Sequence, residues 1–244
     1  MTTALLALLL LQPKPETTDV ALDDTGEVKM TFVKIKPAAF TMGEGKTARQ
    51  VTLTKEYWIG ATEVTQAQWK AVTGENPSYF RQLPDAAKLP VEQVSWDDAA
   101  KFLEKLNAKL KDRKASLPTE AEWEFACRAG TESRWSFGED KSKLDAHAWF
   151  ENNALMDLHP VASKKANPWG LHDMHGSVWE WCADWHADAD AKPATDPKGP
   201  DKGTERVIRG GSYECKADDT RSSIRRGADP AAPNKEIGLR LVLR

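Results

Sequence analysis

The chain lacks a long hydrophobic run, has few cysteines and tyrosines, and carries no basic excess. Its N-terminal apolar stretch, residues 4–11, has eight residues, whereas a membrane-spanning helix needs about 20. A protein that binds nucleic acid through phosphate contacts has a clear positive excess, and here the net charge is −3. We therefore expect a protein that neither spans a membrane nor binds nucleic acid.

The small number of cysteines limits covalent cross-linking. Cys127, Cys182 and Cys215 cannot all pair within one chain. One disulfide with a free thiol and three reduced thiols both agree with this count.

The N-terminal segment predicts a region outside the folded domain. Residues 4–11 resemble the apolar core of a secretory signal peptide, although no Lys or Arg precedes them and no clear cleavage site follows. Residues 12–27 are polar and rich in Pro, Thr and Asp, which is typical of a linker. We expect a signal-like segment and linker over residues 1–27, one domain over residues 28–244, and a secreted or periplasmic monomer. A cytoplasmic location is the alternative.

Tryptophan is abundant where tyrosine is scarce. Ten Trp and three Tyr accompany 15 Gly and 14 Pro, and rigid tryptophans can anchor loops that lack regular backbone pairing. Residues 169–185, WGLHDMHGSVWEWCADW, show neither a helical nor a strand period. They place Asp173 and Glu180 around Gly176, and carboxylate and carbonyl oxygens are the ligands that calcium prefers. This segment is therefore the first candidate for a functional site.

The remaining pattern predicts an α+β domain. Residues 28–40 and 49–59 alternate as a strand and its hairpin partner. Helices are predicted over residues 63–72, 96–110 and 120–128, with Thr65, Ser95 and Thr119 as N-caps. Beyond Gly130 no amphipathic helix longer than two turns is evident, so the C-terminal half is expected to be rich in loops.

Seven short motifs follow one another along the chain: FTMG (40–43), EVT (63–65), PVEQVSW (90–96), LPTEAEWEFA (117–126), GLHDMHGSVWEW (170–181), RGGS (209–212) and GLR (238–240). In this order, over residues 28–244, they resemble the formylglycine-generating enzyme (sulfatase-modifying factor) family. The resemblance implies a C-type-lectin-like fold with little regular secondary structure.

The resemblance also implies metal sites. The family's calcium ligands fall on the side chains of Asp173 and Glu180 and on the carbonyls of Gly176 and Val178. A second calcium site falls less firmly on Asn153 and Ala154, with Asn167 nearby. The alternative is that Asp173 caps a turn and Glu180 pairs with an arginine such as Arg209.

The catalytic position is incomplete by the same comparison. The family's oxidases bind copper(I) through two cysteines, and these fall on Cys215 and on Thr220. A soft ion selects thiolates, and a threonine hydroxyl is a hard donor that cannot replace one. Ser212 lines the same cleft by resemblance. Cys182, or less readily Cys127, would restore the site only if the fold carried it to Cys215.

These observations leave several functions open. The first is an oxidase that converts cysteine to formylglycine in a sulfatase-like polypeptide, with copper(I) as cofactor and structural calcium. The second is a non-catalytic module that binds a protein or another ligand, and the third is a different maturation activity in the same cleft. The threonine at position 220 favours a divergent family member.

Overall fold

The computed structural model describes residues 14–23 and 25–244, and the signal-like run at residues 4–11 lies outside them. Helices account for 20% and strands for 22% of these residues, so turns and loops form the larger part. Strands β1–β12 span Thr17–Ala21, Lys29–Ile35, Ala39–Met42, Arg49–Thr52, Tyr57–Gly60, Ala115–Ser116, Trp179–Trp185, Ala194–Thr195, Arg206–Arg209, Arg225–Ala228, Ile237–Gly238 and Val242–Leu243. Helices α1–α3 span Gln66–Thr73, Trp96–Lys109 and Glu120–Arg128.

Each of the α-helices α1–α3 begins with a capping box. The side chains of Thr65, Ser95 and Thr119 accept from the backbone N–H three residues on, and the residue at that position bonds back to the cap. These reciprocal bonds satisfy N–H groups that a helix start leaves free, which is why the sequence located the three starts well. Helix α1 begins at Gln66 rather than at Glu63, so Glu63 lies in the preceding loop.

Three sheets arrange the strands. The first has the order β1-β2-β5-β12-β6, the second β10-β9-β7-β11 and the third β3-β4-β8. The expected single hairpin is wrong in detail, because β2 pairs with β5 while β3 pairs with β4 in another sheet. Each of the two segments with alternating hydrophobicity, residues 28–40 and 49–59, thus contributes strands to two different sheets.

The polar segment before residue 28 contains a strand. Thr17–Ala21 form β1, which pairs antiparallel with β2, where the sequence indicated a linker. Its outward side chains are exposed, as on an edge strand, so polar composition did not distinguish it from a linker.

The second part of the tryptophan-rich segment, residues 169–185, is also a strand. Trp179–Trp185 form β7, which lies between β9 and β11, and its first four residues are buried. Burial on both faces removes the alternation by which a strand is normally seen. After Arg128 the chain contains short 3-10 helices and strands but no α-helix, which confirms the loop-rich C-terminal half. Among the described residues, no helix has the length and apolar character that crossing a membrane requires.

Candidate functional site

The turn after β9 positions Ser212 and Cys215. Gly210 and Gly211 have φ values of +98° and +83°, which favour glycine. A Cβ on Gly211 would lie 3.1 Å from both the Asp219 carbonyl oxygen and the Thr220 Cγ2. The double glycine therefore lets the chain turn closely against the segment that carries Thr220.

Cys215 contacts a serine rather than a second thiol. Its Sγ lies 3.3 Å from Ser212 Oγ, and its backbone N–H donates to the Ser212 carbonyl over 3.0 Å. All three cysteines are free. Cys215 lies in one buried hydrophobic cluster, whereas Cys127 and Cys182 lie in a different one. The structure gives no support to a rescue of the thiol pair by Cys182 or Cys127.

The Ser212 hydroxyl has a stronger partner than the thiol. It donates to Glu236 Oε2 over 2.5 Å and accepts from the Glu214 N–H over 3.3 Å. A hydroxyl has one proton, so the Cys215 thiol must donate to Ser212 rather than accept from it. Burial raises the pKa of the Cys215 thiol, and the charge of Glu236 acts in the same direction.

Thr220 is engaged elsewhere. Its fully buried hydroxyl accepts from Trp135 Nε1 over 3.1 Å and donates to the Ala217 carbonyl over 2.8 Å. The neighbouring His175 donates from Nδ1 to the Thr220 carbonyl over 2.8 Å, and burial lowers the pKa of this imidazole to about 4. Within the described residues the side chains of Cys215 and Thr220 share no hydrogen bond. The donor set of one thiol and one occupied hydroxyl does not fit copper(I).

A second group of residues surrounds Arg240, which is fully buried. Arg240 donates from Nε and Nη2 to Glu180, with a shortest distance of 2.7 Å, and Trp123 Nε1 donates to Glu180 Oε2 over 2.6 Å. Glu180 thus pairs with an arginine, as one alternative held, but with Arg240. Arg209 pairs with Glu124 instead.

Two further carboxylates lie in this group without a full set of partners. Asp173, with φ of +59°, accepts from the Ala162 N–H through Oδ2, while its buried Oδ1 has no partner. Glu63 is equally buried, and its Oε2 has none. Burial and the neighbouring carboxylates raise the pKa of Glu63, and burial raises the pKa of Asp173.

This group bears on the expected calcium site. Among the described residues, Glu180 is the carboxylate of this group that pairs with Arg240. Asp173 and Glu63 each keep one buried oxygen without a partner, and such oxygens are the ligand atoms that calcium takes. No set of three or more His, Cys, Asp or Glu side chains in the described part of the chain is placed to hold a metal ion. Glu180 is a poorer ligand because both of its oxygens already accept from Arg240. Gly176 has φ of +110°, and a Cβ there would overlap the Trp149 carbonyl oxygen, so this turn requires glycine. Glu63 is a member that the sequence alone did not suggest.

The residues of the second calcium prediction are occupied by the protein. Asn153 Oδ1 accepts from the Phe150 N–H, and Asn153 Nδ2 donates to the Ala148 carbonyl over 3.0 Å. His159 Nε2 lies 3.1 Å from the Ala154 carbonyl. The side chain of Asn167 bonds to a different part of the backbone, including the carbonyl of Ala126. These residues form separate networks and fit a cation less well than Asp173 and Glu63.

Comparison with known proteins shows which family the chain resembles. The profile of the sulfatase-modifying factor enzyme 1-like domain matches residues 15–244. The formylglycine-generating enzyme of Thermomonospora curvata is 36% identical over 176 residues, which cover 65% of this chain and 54% of that protein. A serine/threonine-protein kinase pkn1 of Chlamydia caviae is 38% identical over 162 residues, covering 64% of this chain and 24% of that protein. The chain therefore spans about a quarter to a half of these relatives' lengths.

A solved structure extends the likeness to the whole fold. The Treponema denticola variable protein 1 has 32% sequence identity and a TM-score of 0.87, and the match covers 95% of this chain and 100% of that one. The α+β, C-type-lectin-like fold is thereby confirmed.

Proposed function

Since the chain belongs to the sulfatase-modifying factor enzyme 1-like family, we propose that it is a divergent member that does not convert cysteine to formylglycine with copper. The proposal rests on the hydrogen bonds that the Thr220 side chain makes. Its hydroxyl is held by Trp135 and Ala217, and Cys215 faces Ser212 rather than a second sulfur. Copper(I) requires soft ligands, and a single buried thiol supplies too few of them.

The surface beside this cleft supports a binding role as the second candidate. Tyr79, Leu155 and Met156 are exposed by 64%, 81% and 60%. They adjoin, in sequence, the buried cluster that contains Phe80, Ala154 and Tyr213, and Tyr213 follows Ser212 directly. Leu155 and Met156 also have positive φ values of 57° and 63°, a conformation that bulky side chains seldom adopt. Exposed apolar side chains in such a turn suit contact with a polypeptide that carries apolar residues.

A direct assay distinguishes the oxidase from the divergent member. The protein is titrated with copper(I) against a competing chelator and then incubated with oxygen and a Cys-x-Pro-x-Arg peptide. We expect no tight copper(I) complex and no change in peptide mass. A mass change from thiol to aldehyde that requires copper and disappears in Cys215→Ser would overturn the proposal. Thr220→Cys serves as the comparison, since it restores the second thiol of the family motif.

We also propose that a calcium ion stabilises the loop before β7. Asp173, the carbonyls of Gly176 and Val178, and the unpaired oxygen of Glu63 would hold it, with Glu180 tied to Arg240 beside them. The support is electrostatic, because a divalent cation would offset carboxylates that exceed the single guanidinium among them. Its role would be structural.

A further inference from the structure

A cavity of about 430 Å³ lies away from Cys215, between the β3–β4 hairpin, the start of α3 and the loop that follows β7. This volume is within the range of small-molecule sites, about 300–1,000 Å³. Its wall includes Asp184 and Trp185 at the end of β7 and Arg225 of β10. None of the residues that the family resemblance assigned to copper or calcium lines it.

Asp184 is the buried carboxylate of this wall that has no counter-charge. It is 4% exposed, and its Oδ2 accepts from the Glu120 N–H over 2.8 Å. In residues 14–23 and 25–244 it takes part in no ion pair. The other buried carboxylates of the wall differ: Glu120 accepts from Arg225 over 2.6 and 3.0 Å, and Glu124 pairs with Arg209 and Arg128.

The charged side chains around Asp184 do not offset the negative charge of its carboxylate. Burial raises the pKa of its carboxyl to about 7, and the charges of Glu120 and Glu122 on α3 act in the same direction. Arg225 of β10 has the opposite effect, and the charge of Asp184 partly offsets the burial that lowers the pKa of Arg206 on β9. Both arginines have other partners, since Arg225 binds Glu120 and Arg206 stacks on Trp185 with its guanidinium carbon 3.5 Å from the ring centre.

The mouth of the cavity is charged and its wall is partly apolar. Asp188 and Asp190 are exposed at the mouth, as is Lys198, and Arg49 is half-buried. Met42, Ala121 and the prolines at 197 and 200 supply apolar wall. A ligand that suits this lining has a positive, hydrogen-bond-donating end for Asp184 and a carbon chain for the apolar wall.

We propose that this cavity binds a small organic cation, a primary ammonium or guanidinium compound, whose positive group donates to the Asp184 carboxylate. A metal ion fits less well, because hard cations such as calcium require several oxygen ligands and the other buried carboxylates of the wall are already paired. A guanidinium group, by contrast, matches one carboxylate with two parallel hydrogen bonds.

Agmatine, which carries a guanidinium and an ammonium on a four-carbon chain, is a suitable probe. Binding is measured by calorimetry and ligand-observed NMR at about pH 8, where the Asp184 carboxyl is ionised. We expect saturable binding, weakened about tenfold or more in Asp184→Asn, because a charge-assisted hydrogen bond is lost. The asparagine keeps an acceptor for the Glu120 N–H. Asp201→Asn, an exposed position outside the wall, should bind as the unaltered protein does.

Two further measurements keep the test decisive. Ala187 is exposed and lines the cavity, so Ala187→Trp should block binding without disturbing the core even if Asp184→Asn does not fold. Pentanoate has a similar chain with a negative end and should not bind. Absence of saturable agmatine binding, equal binding by both cavity variants and the unaltered protein, or binding of pentanoate in place of agmatine would each overturn the proposal.

Discussion

The Ser212 hydroxyl donates a hydrogen bond to the Glu236 carboxylate over 2.5 Å. Because of this bond, the Cys215 thiol can act toward Ser212 as a donor but not as an acceptor. With the hydroxyl proton directed to Glu236, the thiol has an acceptor beside it and no donor from Ser212. The negative charge of Glu236 also raises the pKa of Cys215, although burial is the larger cause. The cleft of this chain is therefore one in which the thiolate is disfavoured.

Glu236→Gln should make Cys215 more reactive. A neutral acceptor competes less for the Ser212 proton and removes a negative charge, so the thiol pKa falls and the thiolate fraction rises by about tenfold. The rate of iodoacetamide alkylation against pH, followed by intact mass, measures this change. Glu214→Gln is the matched control, because Glu214 pairs with Lys235 rather than with Ser212 through its side chain. Equal alkylation rates in all three proteins would contradict the expectation, and Cys215→Ser gives the background from the other thiols.

Thr220→Val should destabilise the domain. The substitution leaves the Trp135 indole N–H buried without an acceptor, which costs about 1–3 kcal/mol of unfolding free energy. Chemical denaturation followed by tryptophan fluorescence gives the change. Thr220→Ser retains the hydroxyl and should lose less; a serine variant that is as unstable as the valine variant would show that the methyl group matters more than the bond.

Removing calcium should lower the melting temperature if the proposed ion is bound. A ligand at 100 times its Kd stabilises the native state by about 2.7 kcal/mol, so a chelator should produce a clear shift in scanning calorimetry. Asp173→Ala should be insensitive to the chelator, whereas Asp201→Ala, altered at an exposed loop position, should respond as the unaltered protein does. Identical melting curves with calcium and with chelator would remove the site.

The buried carboxyl of Asp184 should make stability depend on pH. Its pKa is about 7 in the folded protein and near 3.8 when unperturbed, so the folded state holds the proton more tightly. Its contribution is complete below about pH 4 and is lost as pH rises through about 7, to an upper limit of about 4 kcal/mol. The difference in unfolding free energy between Asp184→Asn and the unaltered protein should therefore increase from acid to neutral pH. A difference that stays constant over this range would show that the carboxyl titrates normally.

Gly176→Ala should be severely destabilising. The new Cβ would overlap the Trp149 carbonyl oxygen, so the backbone itself would have to move. Gly130 has a φ of +86°, and a Cβ at that position would meet nothing within 4 Å, so Gly130→Ala should cost only the conformational strain, about 1–2 kcal/mol. Yield and thermal stability of the two variants measure the contrast, and similar losses would point to φ alone as the cause.

The sequence revealed the features that are local along the chain. Thr65, Ser95 and Thr119 located the helix starts because a capping box is contained within four residues. The strand β7 was not recognised because its two faces are both buried, and β1 because it lies at an edge.

The two site groups were predictable in part. The motifs identified Cys215, Ser212 and Asp173, but not that the charges of Glu63 and Arg240 act on the carboxyl groups around Asp173, since these residues belong to distant segments. Glu236 was missed for a related reason: nothing in its immediate neighbours indicates that the fold brings it to Ser212. Asp184 lies within residues 169–185, but nothing in the neighbouring sequence indicates the cavity that it lines.

Strand β12 lies between β5 and β6 in the first sheet, although it follows every other described strand along the chain. This sheet cannot be completed until residues 242 and 243 are free to pair, and Arg240, which pairs with the buried Glu180, lies just before them. The first sheet should therefore close only after β12 has joined it, rather than strand by strand from its N-terminal side. Until then, the exposed edges of β5 and β6 would be open to chaperones or to self-association.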